Sequence, residues 1–428
     1  MTIPAQPALR RPPSAVSREG EGLFGWWREA DTRARHAFVA ASFGWMLDSF
    51  DVMLYSMVLA ALIEDPGLRL SLTVAGILNS ITLVAAAGGG IAFGVVADRL
   101  GRKRALMAAV LIYSIFTAAC GFAQSVIELA VFRVALGLGM GGEWATGAAL
   151  VSESFPARHR GKALAFVQSS WAIGYGLAAL VNLIVMPFWG WRGVFFVGVV
   201  PALFTFWIAR RVEEPEIWHG TSSADRGRIG ALFAPHIARI TIFITVMNAC
   251  TLFGWWGLNS WVPAYLQLSP DYHGIGLSSS TMSWFVIAMQ GGMWLGYVSF
   301  GFIADAIGRK RTYVMFVLAA SVLLPLYGYL REPLILLALG PLVAFFGTGY
   351  YSGFGAVVAE LYPTSVRATA AGVCYNTGRI ASAVAPYVVG SLAATRGFGA
   401  AFGVAGAAFL LAAIAWVGIP DTGNRQLN

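Results

Sequence analysis

Apolar stretches of about twenty residues or more recur along the whole chain, separated by short clusters of Gly, Pro, Arg, Lys, Asp and Ser. Coiled as a helix that rises 1.5 Å per residue, such a stretch crosses a hydrocarbon core of about 30 Å. Twelve spans are predicted, over residues 36–63, 72–97, 103–123, 126–150, 161–186, 191–210, 236–267, 279–305, 311–330, 333–358, 368–395 and 398–419. The expected architecture is all-α and integral to the membrane. It divides into an N-terminal tail (1–35), a six-helix half (36–210), a linker where charged and small polar residues replace the apolar pattern (211–235), a second six-helix half (236–419) and a C-terminal tail (420–428). Residues 1–35 lack the apolar core of a signal peptide and are expected to stay attached.

Composition agrees with the pattern: 57% of residues are hydrophobic and 12% charged, with mean hydropathy +0.68, against about 25% charged in a soluble domain. A net charge of +8 would suit nucleic acid, but its placement points elsewhere. Arg69, Arg192, Arg331 and Arg396 fall in loops on one side and Arg133 and Arg379 within spans, while every other Lys and Arg lies on the side that carries both termini. The positive-inside rule then makes both termini cytoplasmic, in a cell (inner) membrane, and no nucleic-acid partner is expected. Cys120, Cys250 and Cys374 lie within spans without metal-ligand spacing and read as reduced core thiols. No metal or cofactor is expected.

The chain repeats itself. "GVVADRLGRKR" from Gly94 returns as "GFIADAIGRKR" from Gly301, a displacement of 207 residues, and the same displacement carries Glu153, Pro156 and Arg160 onto Glu360, Pro363 and Arg367. Duplicated halves with a site between them are the design of alternating-access carriers. These two loop motifs and "RVALGLGMGGEW" from Arg133 resemble the major facilitator superfamily over essentially the whole chain. "LDSFD", "GMGGEW", "SESFPARHRG", "RRVEEPEIW" and "PDTGNRQL" resemble its metabolite:proton symporters of organic acids, including the sialate/lactate and aromatic-acid groups. The seventh span, "FGWWGLNSWVPAYLQL", lacks the paired glutamines of typical sugar carriers, which counts against a sugar.

At the tight loop after the second span, Gly94 permits close helix approach and Asp98 can accept from a helix N-terminus, while Arg102, Lys103 and Arg104 can pair with acids on adjacent helix ends. The resemblance implies a gating role for Asp98, with Asp305 and Arg309 as the second copy. Ala306 stands where the first copy has Arg99. Glu153 with Arg160 and Glu360 with Arg367 complete the expected latch. The plainer reading of the basic residues is topology alone.

Five ionisable residues fall well inside spans: Asp48, Asp51, Arg133, Glu143 and Arg379. A charge at the bilayer centre costs roughly 2.5–3.5 kcal/mol even on the mildest scale, so each is expected to face the bundle interior with a partner. Counted from the span ends, Asp48 lies about 18 Å and Arg379 about 16 Å deep. Asp48 and Asp51, three residues apart, share a helix face. Three carboxylates against two guanidiniums leave one negative charge uncompensated, and burial beside a like charge disfavours ionisation, so one acid is expected to hold a proton. If Arg133 pairs with an acid, Arg379 is left to clamp a carboxylate through its planar fork. A static network between the first and fourth helices is the competing reading.

Gly137, Gly139 and Gly142 match G-x-G-x-x-G, but inside a membrane helix with no preceding strand they read as packing glycines, as do Gly347, Gly349, Gly353 and Gly355. Pro263 and Pro386 read as kinks. Expected cavity residues are Arg379, Asn376, Tyr375, Asn259, Trp256, Gln290, Gln168 and Tyr175, with Trp255 and Trp261 nearby. His36, His159, His219, His236 and His273 fall at span ends or in loops, and none is expected to shuttle protons. The sequence thus predicts a monomeric, lipid-embedded symporter of a proton and a small organic anion. The alternatives are a sugar, polyol or drug:proton carrier, an intramembrane protease using Asp48 and Asp51 as a dyad, and a sensor that retains the carrier fold.

Overall fold

The computed structural model describes residues 25–155, 157–212, 232, 234–362 and 367–421. Most of the expected tails and linker lie outside the described residues. After a short helix α1 (Gly25–Glu29) the first half runs α2 (Thr32–Glu64), α3 (Leu72–Leu100), α4 (Arg102–Cys120), α5 (Val126–Ser154), α6 (Ala157–Val197) and α7 (Phe204–Arg211). The second half runs α8 (Pro235–Asn259), α9 (Val262–Gln267), α10 (Ser279–Ile307), α11 (Arg309–Tyr329), α12 (Pro333–Thr348), α13 (Tyr351–Leu361), α14 (Arg367–Ser382) and α15 (Ala385–Ala415).

Among the described residues, nine stretches are helical and apolar enough to cross a membrane. Two of these, Lys162–Arg211 and Ala370–Gly418, run 50 and 49 residues, enough for two crossings each. Their helices break at Gly190 and Gly397, both at positive φ (61° and 79°). Helix α5, with Glu128, Arg133 and Glu143 along it, completes the twelve spans. Large side chains such as Phe188, Leu334 and Val417 are more than 80% exposed on the outside, where lipid tails rather than water meet them.

The repeat is visible in the backbone. Gly190 and Gly397 are 207 residues apart, as are Gly101 and Gly308, which cap the loop motifs at φ 102° and 96°. Only glycine adopts these conformations without strain. Gly89 on α3 is pressed against the Leu138 carbonyl of α5, and Gly296 on α10 against the Phe345 carbonyl of α12, the same pair displaced by 207. Lys103 donates to Ala209 O in the last turn of α7 and Lys310 to Ile419 O just beyond α15, each at 2.7 Å, so both loops place a cation on a carbonyl at the end of their half.

Four spans expected to be continuous are broken; the sixth passes through a tighter turn at Val200–Leu203 between α6 and α7. The seventh stops at Ser260–Trp261, the tenth at Gly349–Tyr350 and the eleventh at Ala383–Val384. Pro263 and Pro386 are therefore not kinks within a helix but lie in the first turn of α9 and α15, where a missing N–H costs no hydrogen bond. Gly349 and Gly353 meet α10 closely, whereas Gly347 and Gly355 face open space and do not serve packing.

The halves meet where α6 packs on α10 and α3 on α15. Hydrogen bonds crossing between them lie away from the Gly101/Gly308 end of the bundle. Asn182 Nδ2 donates to Ser279 and Ser283 Oγ (2.9 and 3.0 Å), Tyr175 OH to Asn259 O (3.0 Å) and Tyr387 N to Ser80 Oγ (3.2 Å).

Candidate functional site

The break in the eleventh span puts Arg379 in the last turn of α14. Its cation therefore sits at the negative end of a helix dipole, which stabilises a charge that the surrounding hydrocarbon would not. Helix α14 is held on α8 by Asn248, whose Nδ2 donates to Cys374 O (3.2 Å) and Tyr375 O (3.3 Å). Gly378 allows this approach, since a Cβ there would collide with the Asn248 amide. Arg379 is only 5% exposed and forms no hydrogen bond from its side chain among the described residues. Its donors open onto a cavity between the two halves.

That cavity is nearly closed in this state, with about 30 Å³ of free volume, room for about one water, so its walls must part to admit a substrate. Its walls are aromatic. Trp45 of α2 and Trp171 of α6 lie 4.6 Å apart by ring centroids, Trp171 meets Trp255 of α8 at 5.5 Å, and Trp255 meets Trp256 at 4.7 Å. Tyr297, Tyr351, Tyr375 and Gln168 add polar tips, and Met140 and Leu252 complete the lining. The site thus combines flat apolar walls with one buried fork of hydrogen-bond donors.

The acids stand behind this wall, all of them buried. The charge of Arg379 reaches both Asp48 and Glu143, and Asp48 is in turn felt by Asp51 and Glu143. Asp51 is turned toward α4, beside the hydroxyls of Ser114 and Thr117. It shares a helix face with Asp48 but does not border the cavity.

Arg133 departs from expectation: among the described residues it pairs with no acid. Its guanidinium lies 3.6 Å from the Tyr55 ring centroid and donates to Leu78 O (3.3 Å) and Asn79 Oδ1 (3.0 Å). Tyr55 is one turn beyond Asp51 on α2, and its ring takes the cation before the carboxylate can. Among the described residues, Arg379 is thus the one guanidinium whose charge reaches Asp48 and Glu143.

Of the eight residues expected around a substrate, Arg379, Tyr375, Trp256 and Gln168 line the cavity. The other four do not. Asn259 Nδ2 donates to Trp255 O (3.0 Å) on its own helix, and Tyr175 OH is spent on the Asn259 carbonyl. Asn376 is exposed and donates to Gly372 O (2.9 Å). Gln290 is buried but stands off the lining. Helical spacing separates these cases: Tyr375 and Arg379 are four apart and share a face, while Asn376 is about 100° around the helix. The same spacing would have found two walls that sequence reasoning missed, since Trp45 precedes Asp48 by three residues and Trp171 follows Gln168 by three. Met140, three before Glu143, and Leu252, four before Trp256, meet the same spacing, while Tyr297 and Tyr351 have no expected site residue within one turn.

At the Gly101/Gly308 end, Arg309 Nε donates to Glu360 Oε1 (2.5 Å) and its NH2 lies 3.6 Å from Asp305 Oδ1, joining α10, α11 and α13. The corresponding side chains of the first half, Asp98, Arg102, Glu153 and Arg160, lie outside the described residues, as does that of Arg367. Arg99 and Arg104 are exposed.

Comparison with known proteins adds a family. A model described as Major Facilitator Superfamily matches residues 41–273 and 244–428. The chain is 34% identical over 405 residues to a putative metabolite transport protein of Haemophilus influenzae, covering 92% of this chain and 97% of that one. It is 31% identical over 387 residues to the cis,cis-muconate transport protein of Acinetobacter baylyi, covering 88% and 92%. A solved structure of the E. coli xylose transporter, partially occluded and inward open, matches with TM-score 0.75 at 19% identity over 93% of this chain and all of that one, a likeness of fold.

Proposed function

The chain belongs to the Major Facilitator Superfamily and is a multi-pass membrane transporter rather than an enzyme; from that premise we propose that it carries a small organic carboxylate together with protons. The observation that carries this reading is Arg379, a buried fork of donors that hydrogen-bonds no other side chain among the described residues, at the wall of an aromatic cavity. A carboxylate accepts two parallel hydrogen bonds from such a fork, and a neutral sugar has no use for its charge. The relative named for cis,cis-muconate, an organic acid anion, supports the substrate class.

Coupling follows from charge. An anion that neutralises Arg379 takes away the positive charge that offsets Asp48 and Glu143, and an uncompensated charge makes an occluded, water-free state costly. Protons taken up by Asp48 or Glu143, the acids within reach of Arg379, restore the balance and allow the loaded site to close. Asp51 extends this store of protonatable groups. The halves 36–210 and 236–419 rock about the site. The Asp305–Arg309–Glu360 contacts, and Asp98, Arg102 and Glu153 in the other copy, make and break at the cytoplasmic end. Residues 211–235 tether the halves, and both termini face the cytoplasm across the inner membrane.

The test is proton flux in proteoliposomes on addition of lactate, benzoate, sialate or cis,cis-muconate, with xylose as the neutral control and empty liposomes correcting for diffusion of the free acids. External alkalinisation that depends on the protein and on one class of acid supports the reading. A response to the sugar with none to any acid refutes the clamp, and substrate movement without protons refutes the coupling.

A further inference from the structure

Between α2, α4 and α5, one step removed from the substrate cavity, lies a group of buried polar atoms that substrate binding does not use. Tyr113 of α4 is fully buried, and its phenol has no hydrogen-bond partner among the described residues. The charges of Asp48, Asp51 and Glu143 all reach it. The Ser114 hydroxyl is likewise buried, beside Asp51, while the neighbouring Thr117 hydroxyl donates to the Tyr113 carbonyl at 2.8 Å. Gly139 of α5 stands against the Tyr113 backbone, where a Cβ would come within 2.7 Å of its nitrogen, so α4 and α5 approach closely here.

A phenylalanine would fill this space without stranding a hydroxyl, and a polar atom left unpaired in an apolar interior is destabilising. Its position among three acids suggests a use. We infer that Tyr113 relays protons among Asp51, Asp48 and Glu143, so that the coupled proton travels along a seam inside the N-terminal half rather than through the substrate cavity. This rests on the proton-symport reading above.

The transfer balances. The protonated carboxyl on one side gives its proton to the phenol oxygen as the phenol O–H gives its own to the carboxylate on the other, and the tyrosine ends neutral. Rotation about its C–O bond resets it. In the state seen here the phenol makes no hydrogen bond to any of the three acids, so transfer waits on movement of α4 against α2 and α5. That condition keeps a coupled carrier from leaking protons. None of Tyr113, Ser114 and Asp51 lines the cavity, whose wall on this side is Trp45 and Met140.

The test compares wild type with Tyr113→Phe in proteoliposomes, using cis,cis-muconate, or benzoate, lactate or sialate if one of those gives the proton signal. Two rates are read: exchange of labelled for unlabelled acid, which needs no net proton movement, and accumulation driven by an imposed pH gradient. The relay predicts exchange within twofold of wild type and accumulation reduced at least tenfold. Accumulation at the wild-type rate overturns it, and so does a parallel loss of both, which marks a structural role. If Tyr113→Phe yields no folded protein by thermal melting, Ser114→Ala is read by the same two rates. A wild type that moves no protons with any acid fails the symport reading itself, so the two failures are told apart by the wild-type trace.

Discussion

Replacing Arg379 by lysine keeps the charge and removes the fork. Arginine can give a carboxylate two parallel hydrogen bonds, and an ammonium on a flexible stem gives one at that geometry. A hydrogen bond to a charged group contributes about 1.5–3 kcal/mol, and about 1.4 kcal/mol is a factor of ten in Kd. Arg379 is 5% exposed, so solvent does little to soften the loss. Arg379→Lys is therefore expected to weaken binding of the acid by about 10- to 100-fold. Arg379→Ala also leaves the bound anion without any partner, a loss of about 3–5 kcal/mol, which corresponds to roughly a hundredfold to several-thousandfold. The measurement is equilibrium binding to purified protein by calorimetry with the acid that gives the proton signal, so that transport defects do not enter. Melting curves confirm that each variant is folded. An Arg379→Lys affinity within twofold of wild type would refute the clamp, because the only property the substitution takes away is the one the clamp depends on.

Three further outcomes are expected. Asp48→Asn removes the acid that senses both Arg379 and Glu143, and should leave exchange largely intact while abolishing uphill accumulation in a pH gradient; a variant that still concentrates substrate assigns coupling elsewhere. Asn248→Ala frees α14 from its tie to α8 one turn before Arg379 and should raise Kd about 3- to 10-fold, in line with about 0.5–1.5 kcal/mol for a hydrogen bond; an unchanged Kd denies it a positioning role. Asp65 lies in the loop after α2. Burial works against its ionisation, but Trp191 Nε1 (3.0 Å), the Leu68 and Gly67 N–H groups and the charge of Arg192 outweigh it and hold the carboxyl below its ordinary value. A group depressed on folding stabilises above its unfolded pKa, about 3.9, and that contribution is lost as pH falls through the lower folded value. Asp65→Asn should thus lower the melting temperature at pH 7, with the gap to wild type narrowing in strong acid; a constant gap across pH excludes this account.

Much of the fold was legible because a bilayer leaves few choices. Apolar length and the 207-residue repeat are local facts, and each reappears in the structure, down to paired positive-φ glycines at 101/308 and 190/397; Gly94, expected to allow close helix approach, instead faces open space, as does its counterpart Gly301. The buried charges announced themselves for the same reason, since an Asp or Arg in hydrocarbon needs a cause. Their pairing was not legible. Arg133 found a tyrosine face and two acceptors instead of a carboxylate, because which neighbour reaches a guanidinium first depends on helix rotation and crossing, and hydropathy carries neither. Helix breaks at Ser260, Gly349 and Ala383 were equally hidden, as breaks inside the membrane keep an apolar composition.

By itself the sequence determined that this chain crosses the membrane twelve times as two copies of one unit with charge sealed inside, because desolvation of charge and backbone is a cost every residue meets independently of its neighbours. Tertiary structure alone decided that Trp45 and Trp171 from one half face Trp255 and Trp256 from the other, that Arg379 ends a half-helix with its donors bound to no other side chain among the described residues, and that Asp51 turns to α4 while Asp48 turns to Arg379. Those are relations between helices far apart in the chain. They depend on how small residues such as Gly378 and Gly139 let particular backbones approach, and only the packed bundle fixes that.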